Sequence, residues 1–217
     1  MSYGSQEYPV TSESCPTRLA SFFGRANYSF RDKYLVSATV RADGSTKFAP
    51  GNRWGVFPSG AVAWRISQEG FMKNVSWLDD LKLRFSIGAA GNNRIDNDLW
   101  RRTFIGTFDN RTMYAGLNNI PNLYFTNPSG TLPDPKLKWE TTITRNLGLD
   151  FAILGNRLTG SAELYWNTTK DLLLKAVLPE HTGYNDQQRN VGQTSNRGFE
   201  LSLNGVIVDK KDFSLTA

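Results

Sequence analysis

Hydrophobic and polar residues alternate one for one along most of this chain, in stretches of about ten to sixteen residues, the signature of half-buried β-strands. In "NRWGVFPSGAVAWRIS" (52–67), Trp54, Val56, Pro58, Gly60, Val62, Trp64 and Ile66 fall on one side. Gly55, Phe57, Ser59, Ala61, Ala63, Arg65 and Ser67 fall on the other. The stretches "SFFGRANYSF" (21–30), "KYLVSATVRA" (33–42), "LKLRFSIGAAG" (81–91), "WETTITRNLGLDFAIL" (139–154), "RLTGSAELYWNTTKDLLL" (157–174) and "GFELSLNGVIV" (198–208) repeat the pattern, and "DFSLTA" begins a further strand. Helical periodicity is nearly absent. The pattern predicts an all-β chain of about eight antiparallel strands.

The connections alternate in length. "RDK" (31–33), "GN" (155–156) and "DKKD" (209–212) read as tight hairpin turns. "DGSTKFAPGNR" (43–53) is longer, and the segments 92–138 and 179–197 are long loops. The segment 67–80 breaks the alternation and predicts a short helix, while "RTFIGTF" and "RTMYAGL" predict an extra hairpin inside 92–138. All the tight turns, with 67–80, fall at one end of the predicted sheet, and all the long loops at the other. Transmembrane barrels show this asymmetry, with short periplasmic turns and long external loops.

Alternation alone does not decide which face meets water, and a soluble β-sandwich also buries one face of each strand. The hairpin 139–174 discriminates. A turn at Gly155-Asn156 pairs Ile153 with Leu158, Phe151 with Gly160, Leu149 with Ala162 and Leu147 with Leu164, then Arg145 with Trp166. An apolar band of about 25 Å crossed by tilted strands needs roughly five outward positions per strand, and this ladder fits. Aromatics cluster near both ends of the apolar faces: Tyr28, Tyr34, Trp54, Trp64, Phe151 and Trp166 are predicted as membrane-girdle residues, with Arg145 at head-group level. Strand parity sends Arg25, Arg41, Arg65, Arg84, Asp150 and Glu163 to the opposite face, predicted to line a wet lumen. A transmembrane barrel segment is the favoured reading, and a sandwich binding glycans through its loops is the alternative.

Composition narrows the chemistry further. The chain has 217 residues, 39% of them hydrophobic, and apolar runs far short of the roughly 20 residues of a spanning helix. Its net charge of +5 is scattered rather than concentrated in a basic block, so nucleic acid is not an expected partner. A single cysteine, Cys15, excludes an internal disulfide and a cysteine zinc site. No phosphate loop, nucleotide fingerprint or nucleophile motif is present, so neither enzymatic activity nor a cofactor is expected. His181, the only histidine, has no second ligand residue to join it, Asp79-Asp80 reads as a turn before a strand, and Asp43-Gly44 as a turn. The Asn-x-Ser/Thr triplets at Asn27, Asn74, Asn110 and Asn167 read as chance matches in a bacterial chain. In the long loops, Tyr114, Asn118, Asn119, Tyr124, Phe125, Tyr184 and Asn185 are the candidates for ligand contact, through aromatic faces and amide hydrogen bonds. The N-terminus shows no signal peptide, so an exported chain would be a mature form or a fragment.

Four blocks in order carry a family resemblance: "VRADGSTKFAPGNRWGVFPSGAVAWRIS", "FMKNVSWLDDLKLRFSIGAAGNNRI", "LKWETTITRNLGLDFAILGNRLTGSAELYWNTTKDLLL" and "TGYNDQQRNVGQTSNRGFELSLN". From about Ser21 onward the chain resembles the barrel of SusC/RagA-type TonB-linked outer-membrane receptors of Bacteroidetes. Arg145 departs from the small polar residue expected there. The resemblance implies a location in the cell outer membrane and a barrel of roughly 22 strands closed by a plug. It further implies energy from the TonB complex, a SusD-like lipoprotein partner, and import of oligosaccharides or peptides. On this reading residues 1–20 are an irregular lead-in and 21–217 a partial barrel of about eight strands, with 92–138 and 179–197 as external loops. The chain is too short for plug and full barrel and ends in mid-strand, so a fragment or truncated reading frame is expected.

Overall fold

The computed structural model describes residues 17–72, 75–102, 105–107, 124–126, 130–210 and 213–216. In chain order the strands are β1 (Leu19–Phe30), β2 (Tyr34–Ser45), β3 (Trp54–Arg65), β4 (Leu78–Asn92), β5 (Ile105–Thr107), β6 (Tyr124–Thr126), β7 (Thr131–Leu132), β8 (Glu140–Ile153), β9 (Leu158–Lys170), β10 (Leu173–Val177), β11 (Asp186–Asn190), β12 (Gln193–Lys210) and β13 (Phe213–Thr216). Eight of them form one sheet in the order β1-β2-β3-β4-β8-β9-β12-β13, with every pairing antiparallel. Neighbours in the sheet are neighbours along the chain once the loop strands are set aside, which is a meander. The sheet stays single-layered. Its apolar side carries no second layer among the described residues, contrary to the sandwich alternative, whose stability would require one.

Local backbone chemistry sets the hairpins. Arg31 and Asp32 adopt φ of 53° and 54°, and the Lys33 amide donates to the Phe30 carbonyl over 3.1 Å. At the β8–β9 connection Gly155 and Asn156 have φ of 68° and 61°, and the Arg157 amide donates to the Leu154 carbonyl. Successive left-handed residues, two at the first turn and three at the second where Leu154 has φ of 59°, match the twist of the flanking strands. That turn sets the register, Ile153 opposite Leu158 and Arg145 opposite Trp166, as the alternation predicts.

Several boundaries differ from the sequence pattern. The segment 67–80 holds two single-turn 3-10 helices, Ile66–Gln68 and Gly70–Met72, rather than one helix. β1 begins at Leu19 and β12 at Gln193, so β12 extends five residues into the segment read as the loop 179–197. That segment also holds β11, which pairs with β10 and, in parallel, with β7 in a small three-stranded sheet. The described part of "RTFIGTF", β5, pairs with β6, while "RTMYAGL" lies outside the described residues. Segments of two to five residues are too short to show the hydrophobic period that would reveal such pairings.

A buried hydrophobic cluster lies among the long loops. Phe48 and Leu137 are fully buried and Phe57, Ile95 and Trp139 nearly so, with Ala89, Leu99 and Leu173 packed against them. β3 and β4 pair only from Ser59–Gly88 to Arg65–Lys82, although both strands run further toward the long loops. The Phe57 ring sits where they diverge, so close to Gly55 and Gly91 that a Cβ on either would overlap it.

Candidate functional site, the two faces of one wall

The sheet sorts its residues by parity into two surfaces of different chemistry. One row crosses seven strands as Tyr28, Val36, Val62, Phe85, Leu147, Leu164 and Phe199, each opposite the next in register. All seven are exposed, from 37% at Leu147 to 63% at Tyr28. Rows above and below continue it with Val40, Leu83, Ile87, Leu201 and Leu203. A contiguous apolar surface of this extent is not stable against water on a monomer.

Aromatics border this surface toward both ends. Trp64 and Tyr34 stack at 6.4 Å at the short-turn end, and Phe30 lies 6.5 Å beyond Tyr34. Trp54 stacks on Phe22 at 6.0 Å at the long-loop end, its indole lying over Gly44, where a Cβ would crowd it at 3.0 Å. Phe151 lies across Gly160, and Tyr28 sits within the seven-strand row. Trp166 stands between Arg145 and Arg197 on the neighbouring strands. At the short-turn end Glu69 ties the aromatics together. Its carboxylate accepts from Lys33 Nζ at 3.0 Å, Tyr34 Oη at 2.8 Å and Trp64 Nε1 at 3.2 Å. The Lys33 hydrogen bond, then those of Tyr34 and Trp64, lower its pKa to about 2.

The opposite face is polar and ion-paired. Arg84 reaches Glu163 at 2.6 Å and Asp150 at 3.2 Å, and Lys82 reaches Asp150 at 2.9 Å, linking β4, β8 and β9. Arg65 faces Asp80 at 3.8 Å, Arg41 pairs with Asp43 at 2.8 Å, and Arg25 donates to Thr39. Gly148 lies under the Arg84 guanidinium, which a Cβ there would displace. Two troughs lie along this face. One of about 530 Å³ is lined chiefly from this face, by Asn27, Ser37, Ala61, Arg84, Ser86 and Asn146, with Tyr28, Val36, Val62 and Phe85 also at its margin, and a second of about 260 Å³ by residues that include Arg25, Thr39, Ser59, Gly88 and Thr144.

The loop candidates stand apart from this wall. Tyr114, Asn118 and Asn119 lie outside the described residues, and Tyr124 and Phe125 are in β6. Tyr184 and Asn185 follow the 3-10 turn Glu180–Thr182, which also holds the exposed His181. The Asn185 backbone bridges Gly130 and Leu178. Nearby, Asp186 joins Lys175 at 2.9 Å and Thr131 at 2.7 Å, contacts that lower its carboxyl pKa and raise that of the lysine. Among the described residues no cluster of His, Cys, Asp or Glu is placed to hold a metal ion. No described helix is long and apolar enough to cross a membrane, which has no bearing on a β-barrel.

Sequence reasoning missed Lys82, Arg197, Glu69 and the loop core. Lys82 and Arg197 carried a usable signal, since each shares parity with a residue already assigned. Phe57 also signalled, as a large ring on a face otherwise small and polar. Glu69 did not, because its partners lie five to thirty-six residues away.

Comparison with known proteins adds the family context. The family model described as "TonB dependent receptor-like, beta-barrel" matches residues 2–217. TonB-dependent receptor P26 of Formosa agariphila is 39% identical over 205 residues, 94% of this chain and 20% of its own. TonB-dependent receptor SusC of Bacteroides thetaiotaomicron is 39% identical over 197 residues, 90% of this chain and 19% of its own. The structure of the RagAB peptide importer superposes with a TM-score of 0.77 at 31% identity, covering 91% of this chain and 21% of that one. The chain thus spans about a fifth of the length of these relatives.

Proposed function

This chain belongs to the TonB-dependent receptor β-barrel family, and from that premise we propose that it forms an eight-stranded section of the wall of an outer-membrane nutrient importer. The observation that carries the reading is the opposition of the two faces: a continuous exposed apolar row on one side and an ion-paired trough on the other. Lipid is the solvent that stabilises the first, and a water-filled lumen suits the second. A barrel also removes the sheet edges that β1 and β13 leave unpaired among the described residues, since backbone groups in lipid need partners. Residues 21–217 would then be barrel, with the segments 92–138 and 179–197 outside the cell.

In the assembled receptor, the lumen-facing Arg25, Arg41, Arg65, Arg84, Asp150 and Glu163 wet the interior and meet the plug. The girdle residues Tyr28, Tyr34, Trp54, Trp64, Phe151 and Trp166 seat the wall at its two interfaces. The cargo is an oligosaccharide or a peptide, taken up with a SusD-like lipoprotein and energised through TonB. The likeness to a structure named as a peptide importer supports the peptide option. Tyr184 and Asn185, with the loop residues 114, 118, 119, 124 and 125, are the proposed cargo contacts.

Single cysteines placed in the full-length receptor on a Cys15→Ser background test the orientation. Cysteines replacing Val36 and Leu149 should react with a bilayer-soluble maleimide and resist a charged one, and replacements of Ser37 and Asn146 should do the reverse. The opposite labelling pattern would refute the proposal.

A further inference from the structure

Charge is distributed unevenly over the apolar face. Among the paired positions of this face in β1–β4, β8, β9 and β12, three residues are charged: Arg145, Lys170 and Arg197. All three are basic, and all lie on the adjacent strands β8, β9 and β12. Arg145 and Arg197 are each directly opposite Trp166, from its two sides. Lys170 follows four residues further along β9, toward the long loops. None of the three has a carboxylate partner among the described residues, whereas every lumen-side ion pair of β4, β8 and β9 is closed.

Depth gives this cluster a meaning. Eight residues separate Arg145 from Ile153 at the short-turn end of its strand, which in a strand tilted by about 40° amounts to roughly 20 Å along the membrane normal. Arg145, Trp166 and Arg197 therefore sit at the boundary between hydrocarbon and head groups in the leaflet nearer the long loops. Two strand spacings place the guanidinium-bearing strands about 10 Å apart. A guanidinium is built to grip phosphate oxygens in a fork, and an indole N–H at the interface adds a donor. Adjacent cations with no protein anion repel one another, and an anion held between them relieves that repulsion. A carboxylate on the wall would have served, and the paired positions of this face in the described strands carry none.

We infer that Arg145 and Arg197, on either side of Trp166, hold the phosphate of a lipid head group of the external leaflet against the barrel wall, with Lys170 as an outer cation. The inference rests on the proposed barrel reading, because only a lipid-facing wall brings a head group to this row. Such a lipid would be an annular component of the receptor, distinct from its cargo.

The test uses the full-length receptor in phosphatidylcholine bicelles containing either monophosphoryl lipid A or its dephosphorylated form, with retained lipid read by native mass spectrometry. Wild type should retain the phosphorylated lipid on the order of tenfold better than the R145Q/R197Q double variant, and the double variant should no longer distinguish the phosphorylated lipid from the dephosphorylated one. The R145K/R197K variant, which keeps the charges and loses the forks, should fall between them. Equal retention by wild type and R145Q/R197Q, in bicelles that both enter, would overturn the lipid site alone. A receptor that enters neither bicelle would overturn the barrel reading together with it. Displacement of the lipid by millimolar inorganic phosphate would reassign the arginines to a free anion and so also overturn the lipid site.

Discussion

The Tyr34 hydroxyl donates to the carboxylate of Glu69 over 2.8 Å, so an aromatic at the start of β2 is held by the connection that follows β3. The same carboxylate takes the Trp64 indole N–H and the Lys33 ammonium, and the two rings stack nearly parallel at 10°. Side chains that would otherwise sample many rotamers at the rim are thereby fixed by one acidic group.

This geometry predicts an acid sensitivity. Glu69 titrates near 2 in the folded chain, below its ordinary 4.5, chiefly because Lys33 and then Tyr34 and Trp64 hydrogen-bond its charged form. A depressed folded pKa means that the stabilisation is complete above about pH 4.5 and is lost as pH falls through 2. Acid unfolding of the receptor should therefore show a component in that window, followed by tryptophan fluorescence, that Glu69→Gln removes. Identical acid profiles for the two proteins would exclude the role assigned to Glu69.

The lumen-side network should act as one unit. Arg84 bridges two carboxylates, with the side chains involved about 22–35% exposed. Arg84→Met should destabilise the wall by on the order of 1–2 kcal/mol, between the values for exposed and buried pairs. Gly148→Ala should have a similar effect without touching a charge, because the new Cβ occupies the position of the guanidinium. Chemical denaturation of the two single variants and the double variant measures this, and additive losses would show that Gly148 acts independently of Arg84.

Depth should govern the cost of charge on the apolar face. Leu149 lies midway between the Ile153 row and the Arg145 row. Leu149→Arg should cost about 2–4 kcal/mol in a bilayer, whereas Ile143→Arg, beyond Arg145, should cost about 0–1 kcal/mol. Equal costs in reversible unfolding from liposomes would argue against lipid on this face.

The loop core should be separable from the sheet. Trp139 packs at 5.3 Å from Phe48 and 5.6 Å from Phe57, and its indole donates to the Arg53 carbonyl at 2.9 Å. Trp139→Ala removes about 3–5 kcal/mol of local packing. Amide exchange should accelerate in 46–53 and 131–139 while β8 and β9 keep their protection. Loss of protection across the whole sheet would show that the loop cluster is part of its folding unit.

Much of the wall was legible in the sequence, because a strand's side-chain period of two survives wherever the two faces meet different solvents. The pairing of Ile153 through Arg145 with Leu158 through Trp166 follows from that period and the left-handed Gly155-Asn156 turn alone. The loop strands β7, β10 and β11 were not legible, since β7 has two residues, β11 is wholly polar, and the apolar β10 is too short to show a period of two. Phe57 breaks its face's pattern, and only the loops folding back over it explain why.

By itself the sequence determined the eight wall strands, their order and the sorting of their residues into two faces, because these depend on local alternation and turn chemistry. The tertiary structure decided where the troughs lie, which charges meet across strands, and which are left without partners among the described residues. Curvature and cross-strand distance arise from the twist of all eight strands together. No single stretch contains them, and that is why Arg84 found two carboxylates while Arg145 and Arg197 found none among the described residues.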